Sequence, residues 1–165
     1  SGIPLDMGFI RNHYVGRSFI KPNQDERESV VAMKFNVVRS AVRGKRVIVV
    51  EDSLIRGTTF KKQARILRDA GATQVHLRIT CPPTLNACYY GIDFPNRDQL
   101  VAARLKSISA IEEWLGVDSL GYLSVEGLLS AVSKPAVNYC TACWTGKYPV
   151  KPVDAMDKFA MERSE

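Results

Sequence analysis

Two hydrophobic periods alternate along this chain. The unbroken apolar run Val47-Ile48-Val49-Val50 predicts a strand over 46–51, and the lack of polar alternation predicts burial on both faces, as in a parallel sheet. From Thr59 to Ala70 the period changes. Phe60, Ala64, Leu67 and Ala70 fall on one helical face and Gly71 follows, which predicts an amphipathic helix. Val75–Thr80 reads as the next strand. Upstream, residues 5–10 predict a strand leading into a basic loop, and Asp25–Arg43 predicts a helix, with acids in its first turn, bases in its last and Gly44 just after. Downstream, Pro82-Pro83 interrupts regular structure. Asn96-x-x-Gln99 and Ser109-x-x-Glu112 can each cap a helix, and Leu120–Leu123 offers a last short strand. Strands alternating with helices predict an α/β fold around a parallel sheet with right-handed crossovers.

The richest segment joins the first buried strand to the amphipathic helix: Glu51-Asp52-Ser53-Leu54-Ile55-Arg56-Gly57-Thr58-Thr59. Ligands of parallel sheets bind beyond the carboxyl ends of the strands, where Glu51 and Asp52 fall. Gly57 lets the backbone approach an anion, and the Thr58 and Thr59 hydroxyls and the free amides of the following helix can bond phosphate oxygens. Acids do not attract phosphate, so this pair needs another partner: neighbouring ribose hydroxyls, or a divalent metal carried by the ligand. Acid pair and turn together read as a site for a ribose 5-phosphate. The G-x-x-x-x-G-K-[ST] spacing of a Walker loop is absent. Two acids alone would favour a solvated strand end before a Thr-capped helix; the whole string reverses that balance toward the ligand.

Charge sharpens this picture. Residues 1–80 carry 15 Lys plus Arg against 7 Asp plus Glu, whereas residues 81–165 carry 8 against 10, so the excess of positive charge surrounds the turn. A small polyanion needs only such a local focus. Nucleic acid is not the expected partner, because no helix-turn-helix, zinc-finger or aromatic-interleaved pattern accompanies the basic half. At 165 residues with 45% hydrophobic content one core is expected. No apolar run reaches the roughly 20 residues that span a bilayer, and no signal or lipidation motif is visible, so the expectation is a cytoplasmic protein without membrane association.

Four cysteines stand at 81, 88, 140 and 143. Disulfides are not expected in an unsignalled cytoplasmic chain. By itself Cys140-Thr-Ala-Cys143 could be half a zinc site, a redox pair or half an iron–sulfur site. Cys81, after a strand, reads as a small buried residue. The two histidines form no site: His13 sits in the basic loop, and His76, at a strand start, caps or packs. Trp114 and Trp144 read as core or rim aromatics.

Several blocks carry a family resemblance. EDSLIRGTT resembles the phosphoribosyl pyrophosphate (PRPP) loop of type I phosphoribosyltransferases, in the version found in the glutamine PRPP amidotransferase family. GFIRNHYVGRSFI, residues 8–20, is similar to that family's flexible catalytic loop. YLSVEGL at 122–128 and TGKYP at 145–149 resemble its later signatures, so the likeness runs in order from about residue 3 to residue 150.

The resemblance implies a type I phosphoribosyltransferase fold with a core over residues 1–135 and a cysteine-containing segment over 136–165. It further implies that the first strand of the core and an amino-terminal glutaminase domain lie outside this chain, which begins at Ser1 within the matched region. The activity implied is displacement of pyrophosphate from PRPP by glutamine-derived ammonia to give 5-phosphoribosylamine, at the start of purine synthesis, in a homo-oligomer. Glu51 and Asp52 would hold the ribose hydroxyls and magnesium. Ser53, Arg56, Gly57, Thr58 and Thr59 would hold the 5-phosphate, and Arg11, Tyr14 and Arg17 would close over PRPP. A four-iron, four-sulfur cluster would take Cys88, Cys140 and Cys143, with a fourth thiolate from outside the chain. Three positions depart from the family pattern: Glu51 for Asp, Arg11 for Lys and His13 for Arg. Two other readings share the loop: a non-catalytic PRPP-binding regulatory module and a salvage phosphoribosyltransferase. The second predicts a hood over a base and gives no reason for the C-x-x-C-W-T-G-K-Y-P segment.

Overall fold

A computed structural model describes residues 2–11, 35–92 and 97–150. Among them β3 (Arg46–Glu51), β4 (Gln74–Ile79) and β5 (Ser119–Tyr122) form a parallel sheet in the order β3-β4-β5, and β1 (Phe9–Arg11) pairs antiparallel with β2 (Phe35–Val37) as a separate ribbon. The fold is α/β, as expected. Between the strands run the short helix α1 (Arg39–Val42), the long α2 (Thr58–Asp69), then α3 (Val101–Leu105) and α4 (Ile108–Leu115). Beyond β5 lie α5 (Val125–Ser130) and α6 (Ala142–Thr145).

One face of the sheet carries the core. Val75, Leu77 and Ile79 of β4 and Leu120 of β5 are buried against Phe60, Ala64 and Leu67 of α2 and Ile111 and Leu115 of α4. Leu67 and Leu77 are fully enclosed, each contributing about 2 kcal/mol of burial. At its far end α2 stops where Gly71 turns into the left-handed region at φ 96°. Asp118 then ties three elements together. Its Oδ2 accepts from the Val75 amide at 2.6 Å and from Arg68 at 2.5 Å, so the end of α2 and the start of β4 are both fixed to the start of β5. The Val75 amide, followed by the Arg68 guanidinium, holds the Asp118 carboxyl below its ordinary range despite some desolvation.

Four expectations are corrected. Strand β3 is not buried on both faces: Val47 and Val49 meet the core, whereas Ile48 is 41% and Val50 65% exposed, because among the described residues only one face of the strand is covered. The strand expected at 5–10 forms later, at Phe9–Arg11, and takes no part in the parallel sheet. Within the span 25–43 expected to be one helix, Phe35–Val37 is a strand and only Arg39–Val42 is helical; 25–34 lies outside the described residues. Pairing with β1 outweighs the local charge order there. Finally, α4 is capped by Ser107, which accepts from the Ala110 amide, and not by Ser109. Asn96 is outside the described residues, and a 3-10 turn at Arg97–Gln99 precedes α3.

Candidate active site

The acid pair and the glycine turn sit at the carboxyl end of β3, where the sequence places them. Glu51 is the last residue of the strand, and its carbonyl accepts from the Thr80 amide at 2.9 Å, which joins the ends of β3 and β4. Asp52 is exposed, with Oδ1 accepting the Ser53 hydroxyl at 2.7 Å; Glu51 Oε1 accepts the Asp52 amide at 3.3 Å. Each carboxylate keeps lone pairs for further donors or a cation.

The chain then crosses to α2 through a pinned loop. Leu54 is buried in the core, and the Ile55 carbonyl accepts the Val101 amide at 2.8 Å. Arg56 Nε donates to Gln99 Oε1 at 3.3 Å. Gly57 occupies the N-cap of α2 at φ 76°, a conformation that favours glycine. No side chain caps the helix, so the amides after Gly57 face the same space as the exposed Thr58 and Thr59. That is the arrangement for an anion: free amides, the positive end of a twelve-residue helix, and two hydroxyls.

Two residues that sequence reasoning did not assign lie at the same ends of the neighbouring strands. Cys81, half-buried after β4, has its thiol pushed up first by burial and then by the Asp52 charge, which places it within electrostatic reach of the acid pair. Tyr122, ending β5, has a buried hydroxyl that meets no partner among the described residues; burial foremost, then Cys81, pushes its phenol upward. Cys81 carried no sequence signal, because it nears Asp52 through the strand order, whereas Tyr122 opens the YLSVEGL block. Arg11 closes β1. Its side chain lies outside the described residues, as do Tyr14, Arg17 and His13.

The cysteine segment folds back onto the loop after β4. The Cys143 carbonyl accepts the Leu85 and Asn86 amides at 2.9 and 3.0 Å, the Tyr148 hydroxyl donates to the Ala87 carbonyl at 2.7 Å, and Tyr90 donates to the Val150 carbonyl at 2.6 Å. These contacts bring the C-x-x-C pair toward Cys88. Cys143 is pushed up to about 11, by burial foremost, with the thiols of Cys88, Cys140 and Cys81 adding to it. Among the described residues no three His, Cys, Asp or Glu side chains are arranged around a single ion, and all four cysteines are free thiols.

Known proteins resemble this chain in sequence and fold. The chain is 50% identical over 149 residues to the amidophosphoribosyltransferase of Synechococcus elongatus, covering 90% of this chain and 30% of that protein. This chain is an amidophosphoribosyltransferase homologue. A chloroplastic amidophosphoribosyltransferase of Arabidopsis thaliana is 48% identical, covering 96% of this chain and 28% of that protein. Among solved structures, glutamine PRPP amidotransferase from B. subtilis, complexed with ADP and GMP, superposes with a TM-score of 0.78 at 45% identity over 93% of this chain and 34% of that one. The chain thus spans about a third of the length of these amidophosphoribosyltransferases, and its α/β fold is that of their phosphoribosyltransferase portion. No family model matches it. Among the described residues no helix is long and apolar enough to cross a membrane.

Proposed function

We propose that this chain is the phosphoribosyltransferase part of a cytoplasmic amidophosphoribosyltransferase. It forms 5-phosphoribosylamine and pyrophosphate from PRPP and ammonia that a glutaminase domain of the same polypeptide releases from glutamine, the first step of purine synthesis. The observation that carries this reading is the meeting, at one strand end, of two carboxylates and a glycine turn with uncapped amides. On this reading Glu51 and Asp52 accept the ribose hydroxyls, and Ser53, Arg56, Gly57, Thr58 and Thr59 take the 5-phosphate. Arg11, Tyr14 and Arg17 close over the pyrophosphate.

No protein nucleophile is required. The transition state carries oxocarbenium-like charge, and the residues act by holding the sugar at both ends, keeping carboxylates near the developing positive charge and excluding water. Magnesium fits the donor set, since Glu51 and Asp52 retain free carboxylate lone pairs; carried in with PRPP, it would neutralise the pyrophosphate. A four-iron, four-sulfur cluster would take Cys88, Cys140 and Cys143, thiolate donors on two segments that the hydrogen bonds to the Cys143 carbonyl join, with a fourth thiolate from elsewhere in the polypeptide. Bound there it would be a structural clamp between the segment 136–165 and the core 1–135. The exposure of Ile48 and Val50 supports further transferase structure over that side of the sheet in the complete enzyme, within a homo-oligomer.

The test is calorimetry on the complete enzyme. Titration of PRPP with magnesium is expected to give saturable heat at one site per transferase domain; absence of heat overturns the reading.

A further inference from the structure

We propose that Trp114 is a positioning residue for the 5-phosphate turn: its indole is the wall against which Gly57 is set, so that the turn's amides stand ready before the ligand arrives. This rests on the proposed reading of the turn as a 5-phosphate site and adds a residue to it from α4, well apart in sequence.

The geometry is close. A Cβ built on Gly57 would lie 2.8 Å from Trp114 Cζ3, a distance real Cβ contacts do not reach, with Leu115 Cδ2 next at 3.5 Å. Glycine is therefore required at 57 twice over, by its φ of 76° and by the indole. Trp114 in turn is fixed by two cations over its ring, Lys61 Nζ at 4.5 Å and Arg104 Cζ at 4.9 Å from the centroid. Contacts of this kind at exposed sites contribute about 0.5–1 kcal/mol each. Lys61 also donates its backbone amide to the Gly57 carbonyl at 2.9 Å, so turn, first helical turn and indole form one unit.

The ring is half-buried, and its outer side lines a shallow groove with Arg65, Arg68 and Glu113. It stands at the rim of the core, beside the enclosed Ile111 and Leu115 of the same helix. Shortening it therefore frees Gly57 more than it empties the core. A turn that must first be ordered binds more weakly by the cost of that ordering.

The experiment compares wild type, Trp114→Ala and Trp114→Phe in the complete enzyme, titrated separately with ribose 5-phosphate, PRPP and magnesium pyrophosphate. Trp114→Ala should weaken ribose 5-phosphate and PRPP by about tenfold, the scale of one hydrogen bond lost, and leave pyrophosphate unchanged. Trp114→Phe, which keeps a ring against Gly57, should restore most of the affinity. Wild-type emission should shift on adding ribose 5-phosphate, and this shift should vanish in Trp114→Phe. Equal ribose 5-phosphate affinity in wild type and Trp114→Ala overturns the inference, as does a loss shared equally by pyrophosphate. If Trp114→Ala does not fold, an emission shift that persists in Trp114→Phe overturns it too. Failure of wild type to bind ribose 5-phosphate or PRPP would instead remove the reading of the turn itself.

Discussion

The loop Glu51–Thr59 follows β3 and the cysteine segment around Cys140–Val150 docks on the loop after β4, and the two are held by different means. The loop is fixed by its own residues: Leu54 buried in the core, Ile55 bonded to α3, Arg56 to Gln99, and Gly57 against Trp114. The segment is attached mostly through backbone carbonyls and tyrosine hydroxyls, and its cysteines are free thiols. The loop is therefore fixed by packing along its own length, whereas the segment is held at its edges and its thiols stay unpaired. The difference is between a segment whose backbone is set by buried side chains and one attached through its ends.

The largest expected break is at the loop's chemistry. In the complete enzyme Asp52→Asn should reduce PRPP-dependent pyrophosphate release by about a hundredfold or more while circular dichroism and thermal midpoint stay at wild-type values. Unchanged turnover would remove the carboxylate from its assigned role. At the other region the effect should be on structure. Cys143→Ser should lose the iron from anaerobically purified enzyme and leave the chain after Tyr139 open to protease; full iron content with wild-type protection would show that the segment needs no sulfur-bound centre.

A third substitution tests the loop's anchor. Leu54→Ala should cost about 3 kcal/mol of stability, measured by denaturant titration, and weaken PRPP as the turn loosens. Loss of stability without weaker binding would separate the anchor from the site. The smallest effect belongs to Asp118, at the opposite ends of the strands. A carboxyl held below its ordinary range contributes stability at pH values above its unfolded value, near 4, and loses it as pH falls through the lowered folded value. Asp118→Asn should therefore cost about 1 kcal/mol at neutral pH, allowing for its solvent exposure, and the gap from wild type should close in acid. Turnover should be unaffected. A gap independent of pH would assign the effect to packing.

What was legible in the sequence follows from locality. The acid pair, turn and helix lie in one continuous string, so their order along the chain is their order in space. Strands β3 and β4 and helix α2 appear within a residue of their expected bounds, because their periods are strong. Contacts made across the fold were not legible. Gln99 meets Arg56 from 43 residues away, Cys81 reaches Asp52 through strand pairing, and Trp114 reaches Gly57 from another helix. The β3 run misled for a different reason: apolar residues on both sides of a strand record what the strand can bury, and burial itself depends on what lies alongside. Phe35–Val37 shows the same dependence, since an antiparallel neighbour converts residues whose flanking charges favour a helix.

The bare side of β3 also governs how this stretch of protein behaves as a reagent. Ile48 and Val50 project from an edge whose outer hydrogen-bonding groups have no partner strand among the described residues, a combination that is adhesive in water. Produced by itself, it is expected to stick to its own kind as concentration rises, with light scattering climbing well before any unfolding. A lysine at Val50 should suppress that tackiness and keep dilute and concentrated solutions alike clear.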